Sequence, residues 1–315
     1  MHLRTLRLFC DAVAQRSFSK AAELNGVSQS LVSQAVTSLE NRLEIRLIDR
    51  SKRPLEPTRA GQVYADGSRE MLDGFRTLED SLLRLSDKVS GTVRVAAIYS
   101  VGLLEMGRFA QEFTREYPDV NLRMEYLRPE QVYERIRSDE AEIGIVSFPR
   151  EGGEFRSREW QQQEVVCVTA PQGPLAGKRS VSPSQLEGRD TVALTRDLTF
   201  RRKLDRWLKS ASVSVNVVHE FDNVENIKRS VEIGSGIAFL PLQTVQREIE
   251  YGSLRAVSLR GVTWKRSLGI VQKRNRKLTI AAARFTDFLL GRKPTRSKRT
   301  ANTRGGKETP HMLAD

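Results

Sequence analysis

The chain of 315 residues has few of the residues that indicate a metal centre, a disulfide framework or a membrane anchor. Its two cysteines, Cys10 and Cys167, lie far apart among apolar neighbours, and its three histidines (His2, His219 and His311) are scattered. This pattern predicts buried, reduced thiols, with a disulfide or redox switch as the alternative, and no zinc site. No apolar run approaches the ~18 residues of a membrane-spanning helix, and the N-terminal segment lacks the features of a secretory signal. We therefore expect a cytoplasmic protein without membrane contact.

Sequence motifs of common enzymes are also missing. There is no G-x-S-x-G, no P-loop, no metal-ligand cluster and no dinucleotide fingerprint. The pair Gly234-x-Gly236 follows a predicted helix and precedes a predicted strand, which is the wrong order for a phosphate-binding loop. These absences predict no enzymatic activity and no cofactor.

Negative charge is scarce relative to positive charge. The net charge is +13 and the pI is near 10.0, which favours a polyanionic partner. Residues 291–315 hold seven Lys and Arg against two Asp and Glu, so this tail contributes +5 of that charge. Because the tail is also poor in apolar residues, we expect it to be disordered.

The first 45 residues have the spacing of three helices. Residues 3–16 carry one apolar face, and Ser17 or Ser19 can cap a short second helix that ends at Asn25-Gly26. Ser28 can cap a third helix that runs to about Leu43. The apolar residues of this third helix form one stripe, and its other side is uncharged and able to form hydrogen bonds. That polar side consists of Gln29, Ser30, Ser33, Gln34 and Thr37.

Neutral amides and hydroxyls suit the edges of DNA bases, because Gln can pair bidentately with adenine and Ser or Thr can contact several bases. Residues 46–58 then indicate a strand–turn–strand wing with Arg50, Lys52 and Arg53 at its tip, where they would neutralise phosphates or enter the minor groove. Together these features predict a winged helix-turn-helix whose third helix lies in the major groove.

A heptad repeat follows the wing. No proline occurs from Arg59 to Lys88, and apolar residues recur at alternating spacings of four and three. A helix of about 30 residues spans roughly 45 Å and needs a partner for its single apolar stripe. We predict a dimer interface, and packing against the chain's own domain stays open as the alternative. The stripe consists of Met71, Phe75, Leu78, Leu82, Leu85 and Val89.

After Ser90-Gly91, strand patterns alternate with helix patterns, which predicts mostly parallel sheets covered by helices. The loop Pro149–Gly153 is the predicted crossing to a second lobe. The predicted strands are Thr92–Ile98, Val120–Leu127, Glu142–Val146, Glu164–Ala170, Thr191–Leu194, Ser214–Phe221, Ile237–Leu240 and Ser267–Val271, and the predicted helices span 101–117, 129–139, 199–211, 223–233, 242–251 and 279–290.

The segment from Phe18 to Glu40 resembles the winged helix-turn-helix of LysR-type transcriptional regulators, as do Arg50 and Thr58-Arg59-Ala60-Gly61. Further on, Gly91-Thr92-Val93-Arg94-Val95 and the segment from Val231 to Pro241 are similar to effector-domain segments of that family. The resemblance covers roughly residues 2–290. The chain departs from the family's usual Leu-Gly at Leu43-Glu44 and from its usual Leu-Phe at Leu47-Ile48.

This resemblance implies an α/β protein with an N-terminal all-α winged helix-turn-helix, a long linker helix and a two-lobed, periplasmic-binding-protein-like effector domain. The implied boundaries are 1–58, 59–89 and 90–290, followed by the tail 291–315. The first lobe would take residues 91–161 and 266–290, and the second lobe residues 162–265.

The resemblance also assigns roles to the residues of the DNA-binding domain. Gln29, Ser30, Ser33 and Gln34 would read bases. Ser28 is read as a helix cap, and Ser38 and Glu40 as structural. The residues expected to hold the DNA backbone or the minor groove are Thr37, Arg50, Arg53 and Thr58.

Ligands of open α/β sheets bind at the carboxyl ends of strands, where helix N-termini favour anions. The loops there nominate Ser100 and Thr199, just before predicted helices, and Arg128 and Arg196 as charge partners. An N-cap role for each hydroxyl and a solvated surface role for each arginine stay open. The predicted ligand is a small carboxylate or inorganic anion, and the full predicted site is Ser100, Val101, Arg128, Arg196, Thr199, Phe200 and Val224.

The sequence thus predicts a DNA-binding transcriptional regulator whose DNA binding or bending is gated by a small molecule between two lobes. Its expected partners are double-stranded DNA with a pseudo-palindromic site, the effector, and further copies of the chain in a dimer and tetramer, with RNA polymerase as an additional candidate. A solute-binding protein for a transporter is the alternative, which residues 91–290 alone would permit and the first 90 residues argue against.

Overall fold

A computed structural model describes residues 2–85, 89–101 and 106–292 of the chain. Part of the helix predicted over 101–117 and most of the basic tail predicted to be disordered therefore lie outside the described residues. Of the described helices, none is long and apolar enough to cross a membrane.

The N-terminal domain contains three helices and a short two-stranded wing. The three helices pack around a core in which Phe9, Val32 and Val36 are fully buried. The predicted caps are confirmed, because the hydroxyl oxygens of Ser17 and Ser28 accept hydrogen bonds from backbone N–H groups at 3.3 Å. The elements are α1 (Leu3–Gln15), α2 (Phe18–Asn25), α3 (Gln29–Leu43), β1 (Ile48–Asp49) and β2 (Glu56–Pro57).

Glu40 of α3 attaches the wing to the helices. Its Oε1 accepts hydrogen bonds from the backbone N–H groups of Leu47 (2.8 Å) and Ile48 (3.0 Å), just where β1 begins. The side chains of Leu47 and Ile48 are buried in the domain core. The structural role predicted for Glu40 is thus confirmed. Glu44 ends α3 in the left-handed conformation with φ of 53°. The family that the sequence resembles commonly has glycine at this position.

A long helix, α4 (Arg59–Leu85), follows the wing. Thr58 immediately precedes this helix, and its hydroxyl accepts a hydrogen bond from the N–H of Gly61 at 3.0 Å. Gly61 is required there, because a Cβ atom at this position would lie 1.8 Å from the carbonyl oxygen of Leu47. With 27 residues the helix spans about 40 Å.

The heptad stripe of α4 is exposed over its described part. The side chains of Met71, Phe75, Leu78 and Leu82 are between 40% and 61% exposed. The side chain of Leu85 lies outside the described residues. Val89, predicted to end the stripe, lies beyond the helix and packs against the core of the following domain, because the helix ends before it.

The remaining chain forms an α/β domain. Its strands are β3 (Gly91–Ile98), β4 (Val120–Leu127), β5 (Ile143–Ser147), β6 (Phe155–Thr169), β7 (Ser180–Val181), β8 (Asp190–Leu194), β9 (Asn216–Phe221), β10 (Ala238–Pro241), β11 (Arg255–Leu259) and β12 (Lys265–Lys273). Its helices are α5 (Tyr99–Val101), α6 (Gly107–Glu116), α7 (Pro129–Arg137), α8 (Thr199–Ser210), α9 (Val224–Glu232), α10 (Gln246–Tyr251) and α11 (Ile280–Leu289).

The two lobes share the long strand β6. Residues 155–164 of β6 pair with β12 in the first lobe, and residues 165–169 pair with β10 and β11 in the second. The chain therefore crosses along β6 and returns along β12, and the predicted crossing at Pro149–Gly153 is wrong. The predicted mostly parallel sheets are also wrong in part, because every pairing of β6 and β12 is antiparallel. Strands β3, β4 and β5 pair in parallel, as do β8 and β9.

Each lobe has its own apolar core. In the first lobe, the rings of Phe113 and Phe285 meet edge to face at 4.9 Å. The second lobe has two apolar clusters. Both cysteines are buried and free, as predicted, and burial raises the pKa of the Cys10 and Cys167 thiols from 9.0 to about 12.

Candidate functional site

The polar side of α3 faces solvent. Gln29, Ser30 and Gln34 are exposed, and Ser33 and Thr37 are half-buried. The opposite side of the helix is fully buried through Val32, Val36 and Leu39. The helix thus presents a row of uncharged hydrogen-bonding groups on a firmly held support.

The wing arginines lie beside this row. The guanidinium of Arg50 donates to Thr37 Oγ1 at 2.8 Å and pairs with Glu40 Oε2 at 2.9 Å, and it lies 5.6 Å from the ring centre of Phe18. Arg50 is therefore folded back onto α3 and not extended from a wing tip. Arg53 is exposed and donates to the carbonyl oxygens of Arg50 and Lys52.

Thr58 differs from the other residues predicted to contact DNA. Its hydroxyl donates to the carbonyl oxygen of Arg46 at 2.8 Å and also caps α4 through Gly61. These bonds fix the junction between the wing and α4.

A cleft lies between the two lobes, at the carboxyl ends of β3, β4 and β5 on one side and at the starts of α8 and α9 on the other. This is the edge of the sheets where the strand order predicts a ligand. Its lining residues are Ile98, Tyr99, Ser100, Leu127, Arg128, Pro129, Ser147, Leu194, Leu198, Thr199, Phe200, Asp222, Asn223, Val224, Leu240, Pro241 and Arg266.

Most of the residues predicted to bind the effector line this cleft, and two do not. Ser100, Arg128, Thr199, Phe200 and Val224 are among the lining residues. Val101 is fully buried in the first-lobe core. The side chain of Arg196 is 79% exposed and lies near Glu220, with Nε 3.7 Å from Oε1. Arg196 lies in a loop, and the sequence of a loop does not determine the direction of its side chains.

Arg266, at the start of β12, is a lining residue that the sequence analysis missed. It is only 3% exposed, and its Nη1 donates to Ser100 Oγ at 2.8 Å. Its Nε donates to Gln163 Oε1 at 2.9 Å, which holds the guanidinium against the shared strand β6. A lone arginine before an apolar strand is usually a surface residue. The sequence therefore carried no signal for its burial.

The two lobes meet across the cleft through an ion pair between Arg128 and Asp197. Behind it, Thr199 begins α8, and its hydroxyl accepts a hydrogen bond from Arg202 at 3.0 Å. Among the described residues, no side chain caps the N-terminus of α8, whereas Asn223 caps α9. Uncapped backbone N–H groups at a helix start favour an anion.

Two family models match most of the described chain. Residues 86–293 match the family model of the LysR substrate binding domain, and residues 3–62 match that of the bacterial regulatory helix-turn-helix protein, lysR family. The uncharacterized HTH-type transcriptional regulator YfeR of Shigella flexneri is 30% identical over 91% of this chain and 92% of its own length.

Solved structures share the fold. A variant of full-length OxyR from Pseudomonas aeruginosa superposes with a TM-score of 0.71 at 20% identity, over 92% of this chain and 94% of that one. Full-length CbnR complexed with its target DNA gives a TM-score of 0.57 at 16% identity, over 92% and 98% of the two chains. The predicted fold class is thus confirmed, and the relatives are transcriptional regulators and not enzymes. The chain belongs to the LysR family of bacterial transcriptional regulators, with a helix-turn-helix domain followed by a ligand-binding domain.

Proposed function

We propose that this protein binds specific DNA sequences through α3 and changes that binding, or the bend of the DNA, when a small anion occupies the cleft between its lobes. The observation that carries the proposal is the exposed, uncharged row on α3 beside Arg50. An ordinary solvated helix face would more often carry Lys and Glu, whereas the amides and hydroxyls of this row can both donate to and accept from base edges.

In this proposal Gln29, Ser30, Ser33 and Gln34 contact base edges in the major groove. Thr37, Arg50, Arg53 and Thr58 hold the DNA backbone or the minor groove. Glu40 and Thr37 hold the Arg50 guanidinium in place before DNA arrives, so that little side-chain freedom is lost on binding. The complex of CbnR with its target DNA supports this arrangement through its shared fold.

The proposed ligand is a small carboxylate or inorganic anion. Arg128 and Arg266 supply positive charge, Ser100 and Thr199 supply hydroxyls, and Phe200 and Val224 supply apolar contact. Val101 and Arg196 are left out because neither lines the cleft. A ligand that touches both lobes would favour one lobe arrangement over others and so shift the population of conformations.

Two copies of the chain would pair along the exposed stripe of α4 and bind a pseudo-palindromic site. The family commonly assembles further into tetramers, and RNA polymerase is a candidate partner at the promoter. As a DNA-binding regulator, the protein would act in the cytoplasm.

The DNA-binding assignment is tested by selecting fragments from a random DNA library with the full-length protein. The double variant Ser33→Ala/Gln34→Ala should bind the selected fragment roughly 5- to 150-fold more weakly, because a bidentate base contact by Gln34 alone contributes about 1–3 kcal/mol of discrimination. Affinity for random DNA should stay unchanged, since it comes from phosphate contacts. Fluorescence anisotropy measures both affinities.

The matched control is Ser38→Ala/Asn41→Ala, which removes two exposed polar side chains from the same helix. It should bind the selected fragment with the affinity of the parent protein. Equal discrimination between selected and random DNA by the Ser33/Gln34 variant would refute the assignment of α3 as the recognition helix.

A further inference from the structure

Arg276, in the loop after β12, joins the linker helix to the first lobe. Its Nη2 lies 2.8 Å from Asp73 Oδ1 on α4, and its Nη1 lies 2.8 Å from Asp139 Oδ1 in the turn after α7. The Arg276 side chain is only 12% exposed, so water screens these contacts less than at an open surface. A single guanidinium therefore bridges two carboxylates that belong to different parts of the molecule.

The turn at Asp139 and Glu140 makes a second contact with the DNA-binding half. Glu140 Oε2 accepts a hydrogen bond at 3.1 Å from the side-chain amide of Gln15, the last residue of α1. Within the first lobe, Lys273 Nζ holds Asp139 Oδ2 at 2.6 Å. The turn thus contacts α4 through Arg276 and α1 directly, and we call this set of contacts the clip.

The clip and the ligand cleft lie at opposite ends of the same two elements. Helix α7 starts next to Arg128 at the cleft and ends just before the turn, a distance of about 14 Å for nine residues. Strand β12 carries Arg266 near its first residue and Lys273 as its last, about 24 Å apart at most. A displacement at either cleft arginine therefore has a short, regular path to the clip.

We propose that the clip sets the angle between the DNA-binding half and the effector domain, and that movement of α7 and β12 on ligand binding loosens or tightens it. The interface between the DNA-binding half and the effector domain is small and polar, and two domains joined by such an interface are expected to move relative to each other. Position 73 also lies about 180° around α4 from Leu82, at 100° per residue, so the clip leaves the apolar stripe free for a second copy. The part of this proposal that concerns the ligand rests on the proposed function, whereas the clip does not.

The test measures the intrachain distance between spin labels on α4 and on the first lobe. Val63→Cys and Arg108→Cys place labels at strongly exposed positions, and the buried native thiols of Cys10 and Cys167 should stay unlabelled. Labelled chains are diluted in excess unlabelled protein, so that pulsed electron paramagnetic resonance reports distances within one chain. No effector or DNA is required, so failure of the clip is distinguishable from failure of the proposed function.

The otherwise unaltered labelled protein should give one narrow distance distribution. Arg276→Glu and Asp73→Lys should each lower the clipped population about tenfold relative to other arrangements, equivalent to about 1.4 kcal/mol. The double variant Asp73→Lys/Arg276→Glu re-forms the ion pair with α4 in opposite polarity, but it also places a second carboxylate beside Asp139. It should therefore restore only part of the narrow distribution, as a coupled pair requires.

Arg274→Glu is the matched control, because it makes the same charge change in the same loop and its guanidinium donates to the carbonyl oxygen of Phe155 instead of to α4. Its distance distribution should match that of the parent. If both single variants kept the parent distribution, or if the double variant were as broad as the singles, the clip would not fix the angle and the proposal would be overturned.

Discussion

At the scale of single residues, one lining residue of the cleft is a buried arginine, Arg266, which tertiary contacts hold in place. Arg266 is buried and donates to Ser100 and to Gln163, which ties one cleft hydroxyl to the strand shared by both lobes. A buried guanidinium presents fixed donors and is more weakly hydrated than a lysine ammonium, so it suits carboxylates and inorganic oxyanions. This geometry makes Arg266 a stronger candidate for ligand contact than the exposed Arg196.

Arg266→Met tests that comparison by thermal shift with a panel of small carboxylates, phosphate and sulfate. Any anion that raises the melting temperature of the parent protein should lose this effect in Arg266→Met, because the charge and the fixed donors are gone. The variant itself should be less stable by about 1–3 kcal/mol, since Gln163 Oε1 and Ser100 Oγ lose the hydrogen bonds that Arg266 donates.

Arg196→Met is the matched control, because it removes an arginine that lies outside the cleft. It should keep the full stabilisation by the same anion. Equal anion stabilisation in Arg266→Met and the parent protein would show that the ligand binds elsewhere.

At the scale of elements, α4 has two functional sides. Its buried side carries Ala65 and Leu72 against the helix-turn-helix core, and Asp73 contacts Arg276 of the first lobe. A separate side, about 100° around the helix from Ala65 and Leu72, carries the four exposed apolar residues of the described stripe. The helix can therefore be fixed within its own chain and still offer a continuous apolar surface to a second chain.

Leu78→Glu/Leu82→Glu should separate the dimer, because two like charges per chain would face each other across the stripe without solvation. Sedimentation velocity at micromolar concentration measures the change in mass. Val63→Glu makes the same kind of substitution at an exposed position of α4 away from the stripe and should leave the dimer intact. An unaltered sedimentation profile in the double variant would reject the stripe as the dimer interface.

The sequence predicted elements well where local signals agree. Helices α1–α3 have periodic apolar residues, capping serines and a stop at Gly26 with φ of 61°, and each signal acts over a few residues. Strand β6 was predicted only over Glu164–Ala170, because its first half, Phe155–Gln163, is rich in Arg and Gln. That half becomes a strand through pairing with β12, about 110 residues later in the chain, and no local pattern records such a pairing.

The same distinction applies to the cleft. Ser100, Arg128 and Thr199 were predicted because strand ends and helix starts are local features. Arg266 and Asp197 were missed, since their positions depend on how the lobes close on each other. Arg196 and Asp197 are adjacent in sequence, yet only Asp197 pairs with Arg128 across the cleft. The direction of a loop side chain is set by tertiary packing.

At the scale of the whole molecule, the proposed functions of DNA binding, self-association and domain coupling belong to three separate surfaces. In the proposed function the row on α3 would face DNA and the stripe on α4 would face a second copy, and the clip at Arg276 would hold the effector domain to α4. Because α4 takes part in two of these contacts, a change in the clip would alter how the helix-turn-helix domains of a dimer are oriented. The spacing of the two recognition helices would then determine which half-site spacing the dimer can bind.

That reasoning predicts a strict dependence on half-site spacing in the DNA fragment selected by the protein. Inserting 5 base pairs between the half-sites turns one of them to the opposite face of the duplex, which a dimer joined along α4 cannot follow. Affinity should fall at least about 100-fold, because specific sites are bound about 10³–10⁷ times more tightly than non-specific DNA. Inserting about 10 base pairs, one helical turn, restores the facing and should recover part of the affinity. Mobility-shift titrations of the three fragments measure this order, and equal affinities for the two insertions would contradict a rigidly paired dimer.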